Sequence, residues 1–478
     1  MHHAYYILYI VYLLVILSLV FLDRKGPAQR LSWILLLVFL PGLGLLLYSV
    51  FGSDLYPRYR QWRLARRHGI SLKRLDAMVR PEAVRDWPGD ESSSHLRRFH
   101  QGYCQSPFSA DNAAEIFTAG HSKYRRLFED LRAARKHIHV LYFAIHNDAI
   151  GKKLTSILAE KAREGLEVRV LYDTVGGLSN PRSFFAGPLY RELRRAGGEV
   201  AGIRPFPLDL NYRNHRKLAV IDGQIAYTGG MNIGDKYSDT RWRDTQVRIT
   251  GRAVHQLQRV FLADWVTANK RPDSRLSDNL PGYFPHPDCG GSLGIQVIAN
   301  GLCSEEQRDD KVRLGYLNMI SSATERVWIQ TPYFVPSDVI LQALKAAAAR
   351  GVDVRIMVPS RYVSATLFHR HIANYYLRSL VGSGARIYQY QDSYLHAKTL
   401  LVDSNRLCIG SVNLNARSLE TDDELYVYFE SPEFATRYEA IYQDDLRRSA
   451  EMDYEGFERQ NSVIRAMESI LSFLSPIL

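Results

Sequence analysis

The sequence predicts an α/β fold of two pseudo-symmetric halves that share one site, preceded by two transmembrane helices. Three observations carry this reading. An eight-residue pattern occurs twice, a helix–glycine–strand unit recurs ahead of each copy, and two long apolar runs open the chain.

The pattern is His215-Arg-Lys217-Leu-Ala-Val-Ile-Asp222 in its first copy and His396-Ala-Lys398-Thr-Leu-Leu-Val-Asp403 in its second. His and Lys stand two apart, so on an extended strand both side chains leave the same face. The apolar run that follows reads as a buried strand, closed by a turn at Asp222-Gly223 or Asp403-Ser404-Asn405. A second short strand comes next, Ile225 to Thr228 or Leu407 to Ile409, and then Gly229-Gly230-Met-Asn232 or Gly410-Ser411-Val-Asn413. Three fixed residues match by chance on the order of once per ten thousand starting positions. Both copies also carry Gly at one offset and Asn seventeen residues after the His. Chance and idle, solvated strand ends are both poor accounts of such a pair.

The residue types suit phosphoryl chemistry. Two imidazoles titrating at about pH 6.5 can divide nucleophile and acid–base roles. Two Lys ammonium groups offer fixed positive charge to an anionic phosphoryl transition state. Asn amides and the backbone N–H groups of a Gly/Ser turn can hold the remaining non-bridging oxygen. Such a site needs no metal and no cofactor.

The doubled H-x-K-x4-D pattern, with its following G-[GS]-x-N, resembles the phospholipase D superfamily, whose two halves contribute one motif each to a single site. The resemblance implies that one His attacks phosphorus to give a phosphohistidine, while the other protonates the leaving oxygen and then deprotonates the acceptor. It also implies a carboxylate about 28 residues beyond each His that orients the imidazole; Asp244 in Trp242-Arg-Asp244 and Glu424 in Thr421-Asp-Asp-Glu424 stand near those offsets. Together with Asn232, Asn413, Gly230 and Ser411 they complete the set expected around the substrate phosphoryl group. Asp222 and Asp403 belong to the catalytic signature. Because they follow apolar strands, they are expected to pair with neighbouring backbone or cations.

Taken in order, the chain begins with Ala4 to Leu22, an uncharged apolar run broken only by Ser18. At about 1.5 Å per residue it spans roughly 28 Å, one bilayer core. Met-His-His is a poor basic leader and no A-x-A site follows, so a retained anchor is expected over a signal peptide. The short loop from Asp23 to Arg30 leads to a second run, Leu31 to Phe51, in which Pro41-Gly42 would kink a helix. The basic residues Arg58, Arg60, Arg63, Arg66, Arg67, Lys73 and Arg74 follow, which by the positive-inside rule faces the large C-terminal part to the cytoplasm. Residues 1–55 thus form a two-span anchor and 56–108 a basic juxtamembrane segment and linker.

The first half, 109–272, turns α/β. Helices are expected over Tyr124 to Lys136 and Lys152 to Arg163, and strands over Ile138 to Ile145 and Val168 to Tyr172, with Gly165 stopping the second helix. The second half, 285–455, repeats the unit with strand Arg326 to Gln330, helix Val339 to Ala349, stop Gly351 and strand Val354 to Val358. The stripes Val254, Leu257, Phe261, Trp265 and Phe434, Tyr438, Ile441, Tyr442 read as core. Pro272 to Gly291 marks the linker between the halves. His369 and His371 stand two apart on a helix and so point different ways, which argues against a metal; the resemblance puts them above the cleft. The tail, 456–478, carries the apolar stripe Val463, Ile464, Met467, Ile470, Leu471, Leu474, expected to pack on the second half rather than lie in a membrane interface.

Composition bounds the partners. With 46% hydrophobic and 23% charged residues the chain can fill a core, and a net charge of +11 with pI near 9.3 favours an anionic partner. The two apolar runs select a membrane and its anionic phospholipid over nucleic acid. Four scattered Cys suggest a reducing compartment and no zinc. Through Tyr333-Phe-Val-Pro, Leu395-His-Ala-Lys, Ala416-Arg-Ser and the N-terminal runs, the whole chain resembles the bacterial cardiolipin synthases of the phospholipase D type. That resemblance implies a multi-pass protein of the inner membrane that condenses two phosphatidylglycerol molecules into cardiolipin and glycerol. A phospholipase, a nuclease or a phosphatidylserine synthase would keep the same motifs, a non-catalytic lipid scaffold would not need them, and oligomeric state is not legible.

Overall fold

The computed structural model describes residues 9–14, 16, 18, 27–48, 72–79, 87, 90–176, 186–203, 213–268, 276, 278–287, 290–301, 310–360, 367–452, 461–472 and 475. Most of the first apolar run and the basic residues Arg58 to Arg67 lie outside these residues.

In the second apolar run, Pro41 splits the helix into α1 (Pro27–Phe39) and α2 (Pro41–Leu47), since its ring removes a donor and Leu40 leaves helical geometry at φ −130°. No helix among the described residues is long and apolar enough to cross a membrane, and the expected spans are not seen as such. Ile16, Leu37 and Tyr48 are nonetheless buried against one another, and the Tyr12 hydroxyl donates to the Pro41 carbonyl at 2.7 Å. The two runs therefore pack together. Two further helices, α3 (Leu72–Met78) and α4 (Glu91–Gly102), lead to the first half.

Among the described residues, fifteen strands form one sheet. The first half supplies β1 (Ser109–Phe117), β2 (His137–Tyr142), β3 (Glu167–Asp173), β4 (Glu199–Ile203), β5 (Lys217–Ile221), β6 (Ile225–Gly229) and β7 (Gln246–Gly251). The second supplies β8 (Leu293–Ala299), β9 (Arg326–Gln330), β10 (Asp353–Pro359), β11 (Arg386–Tyr390), β12 (Thr399–Val402), β13 (Arg406–Gly410), β14 (Leu425–Glu430) and an edge strand β15 (Ser449–Met452). Spatial order is β15-β11-β10-β9-β12-β13-β14-β8-β1-β7-β6-β5-β2-β3-β4. Outward from the antiparallel β1–β8 seam the halves read 1-7-6-5-2-3-4 and 8-14-13-12-9-10-11, so each strand of the first half has its counterpart seven strands later. The internal duplication read from the motifs is thus a property of the whole sheet.

Each half pairs three parallel strands, joined by helical crossovers, with four antiparallel ones, and β15 adds a fifth antiparallel strand at the edge of the second half. The crossovers include α5 (Gly120–Ala133) and α6 (Ala149–Arg163) in the first half, and α8 (Lys311–Ser321), α9 (Asp338–Ala349) and α10 (Leu367–Val381) in the second. Asp148 caps α6 by accepting from the Gly151 N–H at 3.0 Å, and Gly165 follows at φ 92°; Gly351 after α9 adopts φ 88°. The opposite face is covered by α7 (Ala253–Ala268) and α11 (Pro432–Arg447). Val254, Leu257, Phe261 and Trp265 of α7 and Phe434, Tyr438 and Tyr442 of α11 belong to one buried cluster, which holds the two halves to a common core.

The tail differs from expectation. Helix α12 (Ser462–Ser472) does pack on α10, but by its polar side: Glu468 is fully buried against Asn374 and Arg378. The apolar stripe faces outward, with Val463 71% and Ile470 66% exposed. A buried carboxylate with two donors fixes the helix more firmly than the stripe could, because it must stay paired.

Candidate active site

Each motif begins just before its strand, and there the halves exchange backbone. The His215 N–H donates to the Asp423 carbonyl at 2.9 Å and the Asp423 N–H donates back to that of Arg213 at 2.8 Å. Correspondingly, Tyr394-Leu395 pairs in parallel with Trp242-Arg243, and the His396 N–H donates to the Arg243 carbonyl at 2.7 Å. Each His is thereby laid against the acidic segment of the other half.

The imidazole partners are crossed as a result. His215 Nδ1 lies 2.8 Å from Glu424 Oε1, and His396 Nδ1 lies 2.6 Å from Asp244 Oδ2. Both carboxylates are fully buried. Burial pushes Asp244 up, but His396 and Lys398 outweigh it and hold the carboxyl below its usual range. Glu424 is held low in the same way by His215, the Ser411 hydroxyl and Lys217 against burial. An ionised carboxylate only accepts, so each Nδ1 carries the proton and each Nε2 keeps its lone pair. Burial, reinforced by the neighbouring Lys, lowers both imidazoles, His396 to about 3. The resting pair is neutral imidazole on anionic carboxylate.

Lys217 and Lys398 point back along their strands, each Nζ donating to the carbonyl of its own His, and Lys398 Nζ also lies 2.9 Å from His396 Nδ1. Burial pulls Lys217 down to about 8 and Lys398 to about 7, with the carboxylates opposing. Each Lys also depresses the His of the other motif, which places both motifs in one electrostatic site. Their charge is lost as pH rises through these values. The expected result is a kcat/KM profile that declines from about pH 7 and more steeply above about pH 8, and a flat profile to pH 10 would show lysines of ordinary basicity.

The small-residue turns do not serve as expected. The Gly230 and Ser411 N–H groups donate to the Thr245 and Leu425 carbonyls, both at 2.9 Å, so neither is open to a phosphoryl oxygen. Their positions serve the carboxylates instead. A Cβ on Gly230 would stand 2.0 Å from Asp244 Oδ1, and in the other half the Ser411 hydroxyl bonds to Glu424. The two Asn also differ. Asn232 is spent on the Tyr237 hydroxyl and the Ala144 N–H, whereas Asn413 Oδ1 is buried without a partner. Asn413 therefore keeps a free acceptor, which suits a ligand hydroxyl rather than a phosphoryl oxygen.

Asp222 and Asp403, which the signature groups with the catalytic residues, lie at the far ends of β5 and β12, away from the His, and pair with neighbouring backbone and, for Asp403, a cation, as their place after apolar strands predicts. Asp222 accepts from the N–H groups of Arg135, Lys136 and His137 at 2.7–2.9 Å. Asp403 accepts from those of Thr324, Glu325 and Arg326 and from Arg406. Both occupy left-handed backbone, φ 55° and 53°. Asp222→Ala should cost about 1–3 kcal/mol through unmet donors and backbone strain, lowering the unfolding midpoint while leaving kcat unchanged.

Sequence reasoning missed several neighbours. Phe143 packs edge-on to His215 with ring centres 4.9 Å apart, and Trp242 lies 5.0 Å from His396. Lys123 is fully buried, its ammonium over the Tyr124 and Tyr142 rings at 4.3 and 5.0 Å, and burial lowers it to about 7 against the pull of Asp244. Nothing in the spacing singled out a lysine in a helix ahead of the motifs. Arg216, between His215 and Lys217, turns the opposite way and is fully buried on Asp264. No group of metal-ligating side chains occurs among the described residues; the His369 ring is tilted against Tyr333 with centres 5.0 Å apart, while His371 lies 3.5 Å from Glu468.

Two His–carboxylate pairs and two buried Lys, drawn from both duplicated halves, meet in the arrangement expected of the phospholipase D class. The family described as cardiolipin synthase, PLD-like domain, matches residues 127–265 and 316–446, and the phospholipase D-nuclease N-terminal family matches 7–53. The major cardiolipin synthase of Bacillus subtilis is 34% identical over 98% of both chains. A cardiolipin synthase of Listeria welshimeri is 33% identical over 96% of this chain and 95% of its own. Among solved structures, the phosphatidylserine synthase of Haemophilus influenzae superposes with a TM-score of 0.62 at 16% identity, covering 80% of this chain and all of its own, a likeness of fold. The chain belongs to the cardiolipin synthase family, phosphatidyltransferases of the phospholipase D superfamily.

Proposed function

We propose that the chain makes cardiolipin from two molecules of phosphatidylglycerol, with His215 as nucleophile and His396 as acid and base. The observation that carries this is the crossed arrangement, in which two neutral imidazoles and two buried lysines from both halves meet at one place. The anionic phosphodiester settles against Lys217 and Lys398, and its charge raises the affinity of His396 for a proton. His215 Nε2 attacks phosphorus, the bond to the glycerol oxygen breaks, and His396 gives that oxygen its proton. The glycerol hydroxyl of the second lipid then yields its proton to His396 and attacks the phosphohistidine, which releases His215 and forms cardiolipin. Glu424 and Asp244 hold the imidazoles in the required tautomer and stabilise the cationic forms.

The N-terminal runs serve as a membrane anchor in this reading, with the catalytic halves on the cytoplasmic side. Support comes from the outward apolar surface of the packed segment, where Leu14, Leu31, Phe39, Leu43 and Leu46 are exposed, Phe39 by 76%. The experiment uses purified full-length protein in detergent micelles with phosphatidylglycerol as the only lipid. Cardiolipin with an equal amount of glycerol is expected. Phosphatidic acid would make it a hydrolase, and cardiolipin precursors consumed only with added serine would make it a phosphatidylserine synthase.

A further inference from the structure

We infer that α12 is an interfacial helix, which lays its outward apolar stripe into the surface of a phospholipid bilayer beside the active site. The inference rests on the reading of a lipid substrate and adds the surface by which the catalytic halves meet it.

The first observation is the inverted docking of the helix. Glu468 is buried among Asn374, Arg378 and His371 of α10, and the Tyr376 hydroxyl donates to Ser475 at 2.8 Å, so the polar side is committed to the protein. Val463, Ile464, Met467 and Ile470 are 71%, 37%, 39% and 66% exposed on the other side. A helix held by buried polar bonds with its apolar residues outward is built to present them.

The stripe is not isolated. Tyr375 of α10 is 40% exposed and Val339 of α9 is 46% exposed. Asp338, Tyr375 and Ser472 line one cavity of about 530 Å³ at the junction of these helices, which places Tyr375 on the same flank as the end of α12, with Val339 next to Asp338 in the chain. This flank also continues toward the chemistry. The ring of His369, near the start of α10, lies tilted 5.0 Å from that of Tyr333, whose hydroxyl is 3.3 Å from that of Tyr394, and the Tyr394 ring lies 5.9 Å from His396.

A bilayer fits better than a second copy of the chain. The substrate is a two-chain amphiphile, so the site must open on a lipid surface, and a neighbouring apolar ridge at that opening is the simplest way to hold it there. Within α12 the charged groups are Arg465 and the buried Glu468, so contact would depend on inserting apolar side chains rather than on a basic face.

The test places a nitroxide at Ile470→Cys in full-length protein carrying Cys289→Ser and Cys303→Ser, since Cys104 and Cys408 are buried. In phosphatidylglycerol vesicles the label should be accessible to oxygen and shielded from a water-soluble nickel chelate. Ready access of the chelate would overturn the inference, as would shielding from both reagents, the mark of a protein contact. In parallel, the triple variant Ile464→Ser, Met467→Ser, Ile470→Ser should lose at least tenfold in turnover on vesicles and keep its turnover in detergent micelles. Equal activity on vesicles would overturn the role. Absence of product from the unaltered chain in micelles would instead sink the functional reading, and the nitroxide answers for the helix in either case.

Discussion

His396→Ala and Asp244→Asn should each lower transfer from phosphatidylglycerol by roughly 10³–10⁴-fold, and a leaving group of low pKa should restore the first step to both. Glycerol leaves as an alkoxide unless it is protonated, and removing a positioned general acid typically costs 10²–10⁴-fold. Asp244→Asn acts through His396: an amide can donate to Nδ1, which favours the tautomer with its proton on Nε2 and disturbs the cation the step requires. The two atoms are 2.6 Å apart and belong to opposite halves. With a phosphatidyl nitrophenol the departing oxygen needs no proton, so both variants should give a burst of nitrophenol equal to the enzyme present. His215→Ala and Glu424→Gln should give no such rescue, because they disable the attacking nitrogen. Rescue of the second pair instead would exchange the two roles, and rescue of all four would end the case for a shared two-motif site.

The crossing in this experiment is what the sequence did not disclose. The positions of Asp244 and Glu424 could be read from their offsets, but an offset assigns each acid to the His of its own half. The partners are 209 and 152 residues apart, brought together by backbone pairing of Asn214 with Asp423 and of Tyr394-Leu395 with Trp242-Arg243. Local periodicity carries no information about such an exchange. The strands and helices around the motifs were legible because alternation and 3.6-residue stripes report directly on burial, and Arg326–Gln330 was read to the residue. A stripe does not say which face of a helix finds a partner, which is why α12 was expected to pack by Met467 and packs by Glu468. The turn glycines failed for a related reason. Gly230 looked like a phosphoryl cradle, yet it is small because Asp244 needs the space.

Arg216 gives the second large effect, on stability. It occupies the middle of the first motif, where His215 and Lys217 face the site and the alternate residue must face inward. Its guanidinium is fully buried, bonded to Asp264 of α7 and to the Asn300 carbonyl, which lies beyond β8 in the other half. The Asn214 amide donates to the same Asp264 carboxylate at 2.9 Å. Asp264→Ala should therefore destabilise the fold by about 3–5 kcal/mol, since it strands a buried charge. At roughly 2–4 °C per kcal/mol for a unit the size of one half, the unfolding midpoint in detergent should fall by about 6–20 °C. The double variant Arg216→Met, Asp264→Leu should regain most of that loss, because the unpaired charge, not the missing bond, dominates the cost. Activity should fall further in Asp264→Ala than unfolding alone explains. Asn300 also donates its N–H to the Glu424 carbonyl at 3.1 Å, so a shift of Arg216 reaches the carboxylate that holds His215. If the single variant unfolds at the midpoint of the unaltered chain, Arg216 is solvated rather than paired, and the motif is not tied to α7 in this way.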